Sequence, residues 1–242
     1  MIPFLRYRFL AYLFSLVFVI GSLLSLYLRG LNLGLDFTGG TVLELKFENR
    51  PGLSSIRRAL EEGKISGFQL QESGSSVLVK LSLGQDPEMV RSVLSKLGRF
   101  EVLRFESIGP VVTSELRKKA AFAIFFALLG ILLYLAYRYQ PLWALSAIVA
   151  LLHDVIIVLG AYSISFREIN LDVIAALLIV AGYSVTDTVV IFDRIRENLR
   201  MRKATSLQAL VDLSVNQTLS RTIMTSVTTF VVSLSLFIFG GP

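Results

Sequence analysis

Phe9 to Leu28 is an uncharged run of 20 residues, and four further apolar runs follow at Ala120–Tyr137, Leu142–Phe166, Leu171–Phe192 and about Thr222–Phe239. A helix rising 1.5 Å per residue needs about 20 residues to cross a ~30 Å hydrocarbon core, so each run predicts a membrane span. Composition agrees: 54% of the chain is hydrophobic and 17% charged, against about 45–50% and about 25% in soluble domains. An ordinary soluble fold is excluded. The first run exceeds a usual signal-peptide core, and Leu28-Arg29-Gly30-Leu31 lacks a small-residue cleavage site, so it reads as a retained span.

Basic residues set the orientation. Arg6 and Arg8 precede the first run and place the N-terminus in the cytoplasm. Arg138 falls between the second and third runs, and Arg194, Arg196, Arg200, Arg202 and Lys203 cluster after the fourth. Arg167 is offset by Glu168 on the opposite side, and Arg117 to Lys119 end a long segment, whose translocation is largely indifferent to charge. Five spans put the C-terminus outside. The net charge of +6 suits basic cytoplasmic loops better than nucleic-acid binding.

The expected organisation is a first span at 1–28, a soluble domain at 29–118, and four spans at 119–242 with a basic cytoplasmic loop near 193–220. Residues 29–118 carry 13 basic and 11 acidic side chains. Within them Thr41–Glu48 alternates, Leu43, Leu45 and Phe47 on one face and Glu44, Lys46 and Glu48 on the other, as a half-buried strand does. A helix capped by Ser54 or Ser55 should run to about Gly63, then strands at Ser66–Glu72 and Ser75–Leu83, a helix at Pro87–Leu97 and a strand at Phe100–Ser107. This βαββαβ order is the ferredoxin-like plan, predicting an extracytoplasmic α+β domain between spans 1 and 2. Leu207–Ser220 reads either as an amphipathic cytoplasmic helix feeding the last span, with Leu207, Leu210, Val211 and Val215 toward the membrane and its neighbouring basic cluster touching anionic lipid, or as a solvated loop.

Absence of cysteine removes disulfides, thiolate chemistry and zinc or iron–sulfur sites, and leaves one histidine. Polar chemistry falls to carboxylates, basic groups, hydroxyls and that ring. An ionisable group inside a span costs about 2.5–3.5 kcal/mol, so such residues mark interior partners or water. His153 and Asp154 lie ~16–18 Å into the third run, near the midplane. They point about 100° apart and read either as an interior pair fixing helix packing or as functional groups. Asp187 shares its helix face with Ser184 and Tyr183, beside Gly182, Thr186 and Thr188. Arg221 opens the fifth span with Gln217, Thr225 and Thr228 on its face. Asp187 and Arg221 can pair at similar depth, and protonating the carboxylate would release the guanidinium; Arg221 can equally snorkel to the interface. Asp193–Asn198, with alternating charge, reads as a solvated helix end.

Several motifs occur in order along the whole chain: Leu35-Asp36-Phe37-Thr38-Gly39-Gly40-Thr41, Ile108-Gly109-Pro110, His153-Asp154-Val155, Gly182-Tyr183-Ser184-Val185-Thr186-Asp187-Thr188 through Asp193-Arg194-Ile195-Arg196-Glu197-Asn198, and Gln217-Thr218-Leu219-Ser220-Arg221-Thr222. Together they resemble the SecF family, the smaller half of SecDF in the resistance-nodulation-division superfamily. The resemblance implies an accessory of protein export in the bacterial cytoplasmic (inner) membrane. Its partners would be SecD, the SecYEG channel, the SecA motor and the translocating preprotein, with the proton gradient assisting translocation. It implies that Asp187 is the proton-pathway aspartate and Arg221 its basic partner, with His153 and Asp154 on a further family motif. Asp36, Gly39 and Gly40 would form a hinge after the first span. The family has six spans, so a chain stopping at Gly240-Gly241-Pro242 after five is expected to be truncated. No Gly-x-x-x-x-Gly-Lys-Ser/Thr or His-Glu-x-x-His motif is present, so neither an enzyme, a cofactor nor a metal is expected. Two other readings are a purely structural subunit and an intramembrane aspartyl protease using Asp154 and Asp187.

Overall fold

The computed structural model describes residues 1–201, 203 and 206–239; Arg202 and Gly240-Gly241-Pro242 lie outside the described residues. A 3-10 turn at Phe4–Tyr7 leads into α1 (Arg8–Arg29), a two-residue strand β1 (Asn32–Leu33), one helical turn α2 (Leu35–Thr38) and β2 (Gly40–Phe47). Then come α3 (Leu53–Glu62), β3 (Phe68–Ser73), β4 (Ser76–Leu81), α4 (Pro87–Leu94) and β5 (Phe100–Ile108). The chain continues through α5 (Pro110–Arg138), α6 (Pro141–Ser165), β6 (Glu168–Ile169), α7 (Leu171–Arg200) and α8 (Leu207–Phe239). Five helices are long and apolar enough to cross a membrane: Phe4–Arg29, α5, α6, α7 and α8.

The chain forms two compact units, one of Met1–Gly30, Ala127–Ser165 and Ala176–Pro242, the other of Leu31–Phe126 and Phe166–Ala175. In the second unit β2, β3, β4 and β5 build an antiparallel sheet in the order β3-β4-β2-β5. The alternation in β2 buries Leu43, Leu45 and Phe47 against Val77, Val79 and Leu81 of β4. Ile56 and Leu60 of α3 and Val90 and Leu94 of α4, one turn apart on each helix, close the same core. Asp86 caps α4 by accepting from the Glu88 N–H at 3.0 Å, with Pro87 in the first helical position. The expected serine cap of α3 is not used. Its N-cap is Gly52, and Ser54 and Ser55 fall within the first turn.

This unit also takes in Phe166–Ala175, a segment the sequence places among the spans. β1 and β6 pair in parallel, Asn32 opposite Glu168 and Leu33 opposite Ile169. Lys80 of β4 forms an ion pair with Glu168.

In the helical unit, Leu135 of α5, Tyr139 of the connection, Ala144, Ala147 and Leu151 of α6 and Ala181 and Val185 of α7 form one buried cluster. The three alanines allow close helix approach where lipid offers no hydrophobic drive. The amphipathic segment Leu207–Ser220 is helical and runs without a break into the last span as the first part of α8. Its Leu210, Ser214 and Thr218 are buried within the protein, and only Leu207 among its apolar residues is fully exposed.

Candidate functional site

Helix α6 carries the only imidazole into the helical unit. α1 and α6 pack along a seam of small residues: Ser22 is buried, and a Cβ built on Gly160 would fall 2.7 Å from the Ser22 Cα. Along that seam Ser25 and Ser163 share a hydrogen bond of 2.9 Å, and Ser15 meets His153 Nε2 at 2.6 Å. His153 Nδ1 lies 2.9 Å from Asp154 Oδ1, and Asp154 Oδ2 accepts from the Ser184 hydroxyl of α7 at 2.6 Å. The neighbours His153 and Asp154 thus diverge to different helices, as their angular separation requires, while their ring and carboxylate still touch. The result is a ladder Ser15–His153–Asp154–Ser184 across three helices. With Asp154 ionised, the tautomer satisfying both ring contacts carries its proton on Nδ1 and accepts the Ser15 proton at Nε2.

Asp187 stands nearly one turn beyond Ser184 on α7. Its Oδ1 accepts from Thr225 of α8 at 3.3 Å. Among the described residues no ion pair joins it to Arg221, which is exposed one turn before Thr225. The expected pairing is therefore replaced here by a hydroxyl contact. The polar stripe around Asp187 divides as well: Ser184 serves Asp154, Thr186 and Thr188 donate to the carbonyls of Gly182 and Ser184, and Tyr183 is exposed.

Gln217 also departs from the stripe assigned to it. Its Oε1 accepts from Arg194 at 2.7 Å and from Asn198 at 2.9 Å, tying the end of α7 to the start of α8. Asn198 is fully buried and donates to Ser214 as well. Asp193–Asn198 is thus a helix–helix joint rather than a solvated end, with Asp193 accepting from Arg138 and from the Tyr139 hydroxyl at 2.9 Å.

Gly39 and Gly40 are buried, and Asp36 is half-buried. Asp36 Oδ2 accepts from the Leu171 N–H at 2.8 Å and so caps α7 beside Asn170, whose Oδ1 takes the Val173 N–H. Gly39 (φ +68°) and Gly40 (φ +111°) hold backbone angles that side chains rarely adopt, and a Cβ at Gly40 would strike the Leu81 carbonyl. The two glycines of the motif are thus close-packed against Leu81, Leu83 and Thr113.

Residues 24–49 match the family described as SecD/SecF GG motif, and residues 89–242 the family described as protein export membrane protein SecD/SecF, C-terminal. The chain is 42% identical to protein translocase subunit SecF of Calditerrivibrio nitroreducens, over 99% of this chain and 83% of that protein. The chain belongs to the SecF family. SecF of Vibrio alginolyticus is 40% identical (99% and 79% covered), and that of Helicobacter pylori strain J99 36% (99% and 77%). The relatives bear the name of a translocase subunit, not of an enzyme. Among solved structures, this SecF-family chain superposes on SecDF of Thermus thermophilus, a translocon-associated membrane protein, with a TM-score of 0.87 and 35% identity. SecDF in its super-membrane-facing form gives 0.66 and 36%. The match takes 98% of this chain but only about a third of either SecDF chain, 34% and 33%. Ser15 and Ser214 are the residues of these contacts that sequence reasoning missed, and Asn198 was read only as part of a solvated helix end. Ser15 had one available signal: Ser15, Ser22 and Ser25 repeat the spacing of His153, Gly160 and Ser163.

Proposed function

We propose that this chain works with SecD as an accessory of the Sec translocase, using the proton-motive force to assist preprotein export across the bacterial inner membrane. The observation that carries this reading is the pair of half-exposed carboxylates inside spans, Asp154 and Asp187, each held by a single helix-to-helix hydroxyl contact. Such groups are too costly to leave against lipid. Their open faces therefore meet water or the SecD half. Protonating Asp187 weakens its hold on Thr225, and Arg221, about 6 Å away along α8, exchanges with that contact as the helices shift. Asp154 is the common acceptor in the ladder, taking the His153 Nδ1–H and the Ser184 hydroxyl, so a proton arriving at this carboxylate weakens the contacts that join α6 to α7.

In this reading unit Leu31–Phe126 is the extracytoplasmic ferredoxin-like domain, and the bundle end that carries Arg138 and Arg194 is cytoplasmic. Supporting that orientation, contacts run from Arg138 to Asp193, from Arg194 to Gln217 and from Asn216 to Ile2, so the N-terminus and both expected basic turns share one end. The two carboxylates hold different hydroxyls, an arrangement unlike a proton-sharing protease dyad.

The test is Asp187→Asn in the complete SecDF, reconstituted with SecYEG and SecA. Loss of proton flux and of gradient-stimulated export is expected. Unchanged flux and export would overturn the coupling and leave a purely structural subunit.

A further inference from the structure

At the end of the bundle formed by the α5–α6 connection and the last turns of α7, positive charge exceeds its partners. Arg138 is matched by Asp193 at 3.1 Å, and Arg194 by Glu197. Arg196 donates only to the Arg138 carbonyl, at 3.3 Å, and neither it nor Arg200 has a carboxylate partner among the described residues. Two clefts adjoin here, both bordered by Arg138 and Arg196. One, of about 370 Å³, runs between Tyr137, Gln140 and Trp143, and the other, of about 600 Å³, reaches Arg200 and Met201.

The surroundings grade from charged to apolar. Trp143 is fixed by stacking on Tyr139 and by an edge contact with Phe192 at 5.0 Å. Beside it Tyr137 and Leu142 are 94% and 78% exposed. Two unmatched guanidiniums above an aromatic and an exposed aliphatic rim have the polarity profile of one ligand class. We propose that these clefts bind the phosphodiester headgroup of an anionic phospholipid, with Arg196 and Arg200 on its phosphate oxygens and its acyl chains over Tyr137 and Leu142. The planar guanidinium matches two phosphate oxygens at once, which an ammonium does not. A small soluble anion would account for the arginines but leave the apolar rim uncovered. The site needs only that the bundle spans a membrane, and it is independent of proton coupling.

The full chain, purified from vesicles of phosphatidylglycerol and phosphatidylethanolamine in equal parts, is examined by native mass spectrometry for retained lipid. Wild type is expected to keep phosphatidylglycerol preferentially. Arg196→Gln with Arg200→Gln should lower that preference by about 30-fold, the equivalent of about 1 kcal/mol for each basic residue at an anionic surface. Arg58→Gln, on the exposed face of α3, should leave it unchanged, as should Asp187→Asn. Should the double variant fail to fold, Arg200→Gln alone is measured, since that side chain makes no ion pair among the described residues. Equal retention of the two lipids by wild type, or a preference unaltered in the folded variants, overturns the proposal. So does release of the lipid by millimolar inorganic phosphate, which would mark the clefts as a site for a free anion.

Discussion

Tyr139 occupies the two-residue connection between α5 and α6 and is 7% exposed, its hydroxyl directed at Asp193. Burial, and then the Asp193 carboxylate beside it, push the phenol from 10.0 up to about 12. The folded state therefore holds the phenolic proton more tightly than the unfolded chain. The stability this contributes is complete below about pH 10 and is lost as pH rises through about 12. Phenolate absorbance, taken as the difference between wild type and Tyr139→Phe, should rise near pH 12; a rise centred on pH 10 would contradict the burial and the bond. Individual side chains were only partly legible in the sequence. His153, Asp154 and Asp187 stood out because charge is rare in apolar runs. Their partners did not, because spacing along one helix says which residues share a face but not which neighbour that face meets. Ser184 thus looked like a companion of Asp187, whereas α6 claims its hydroxyl. Ser15 was hidden for the opposite reason, as one small polar residue in an apolar run carries no cost that demands a partner.

Between elements, the α1–α6 seam shows register of an unusually simple kind. Ser15 meets His153, Ser22 meets Gly160 and Ser25 meets Ser163, each pair separated by the same 138 residues. A constant offset means that the helices run parallel, and steps of seven and three residues are those of a coiled-coil seam. Ser25→Cys with Ser163→Cys should cross-link under mild oxidation, in a chain whose lack of cysteine gives no background. Gly160→Leu should abolish the cross-link by forcing α1 away, and a missing cross-link in the parent pair would refute the register. Most elements were readable from periodicity, since β2 and its helices α3 and α4 alternate or repeat as their faces require. The pair β1–β6 was not. Two-residue strands have no periodicity, and each takes its extended form from a partner distant in sequence.

For the molecule as a whole, parallel α1 and α6 fit successive spans of alternating direction, because the first and third then cross the same way, whichever side holds the N-terminus. Single cysteines at Arg58 and at Arg200 test that side directly: a membrane-impermeant maleimide added to intact spheroplasts should label Arg58→Cys and not Arg200→Cys. The reverse pattern would invert the topology. Closure of the second unit joins chain ends made at different moments. Asp36 and its backbone partner at Leu171 are 135 residues apart, and at the ~5–20 residues per second of synthesis the carboxylate waits roughly 7–27 s for that partner to exist. During that interval the β-sheet can form while the β1 edge stays open. The joint at Asp36 therefore forms only after α5 and α6 have been synthesised, and the second unit finishes folding later than its own β-sheet requires.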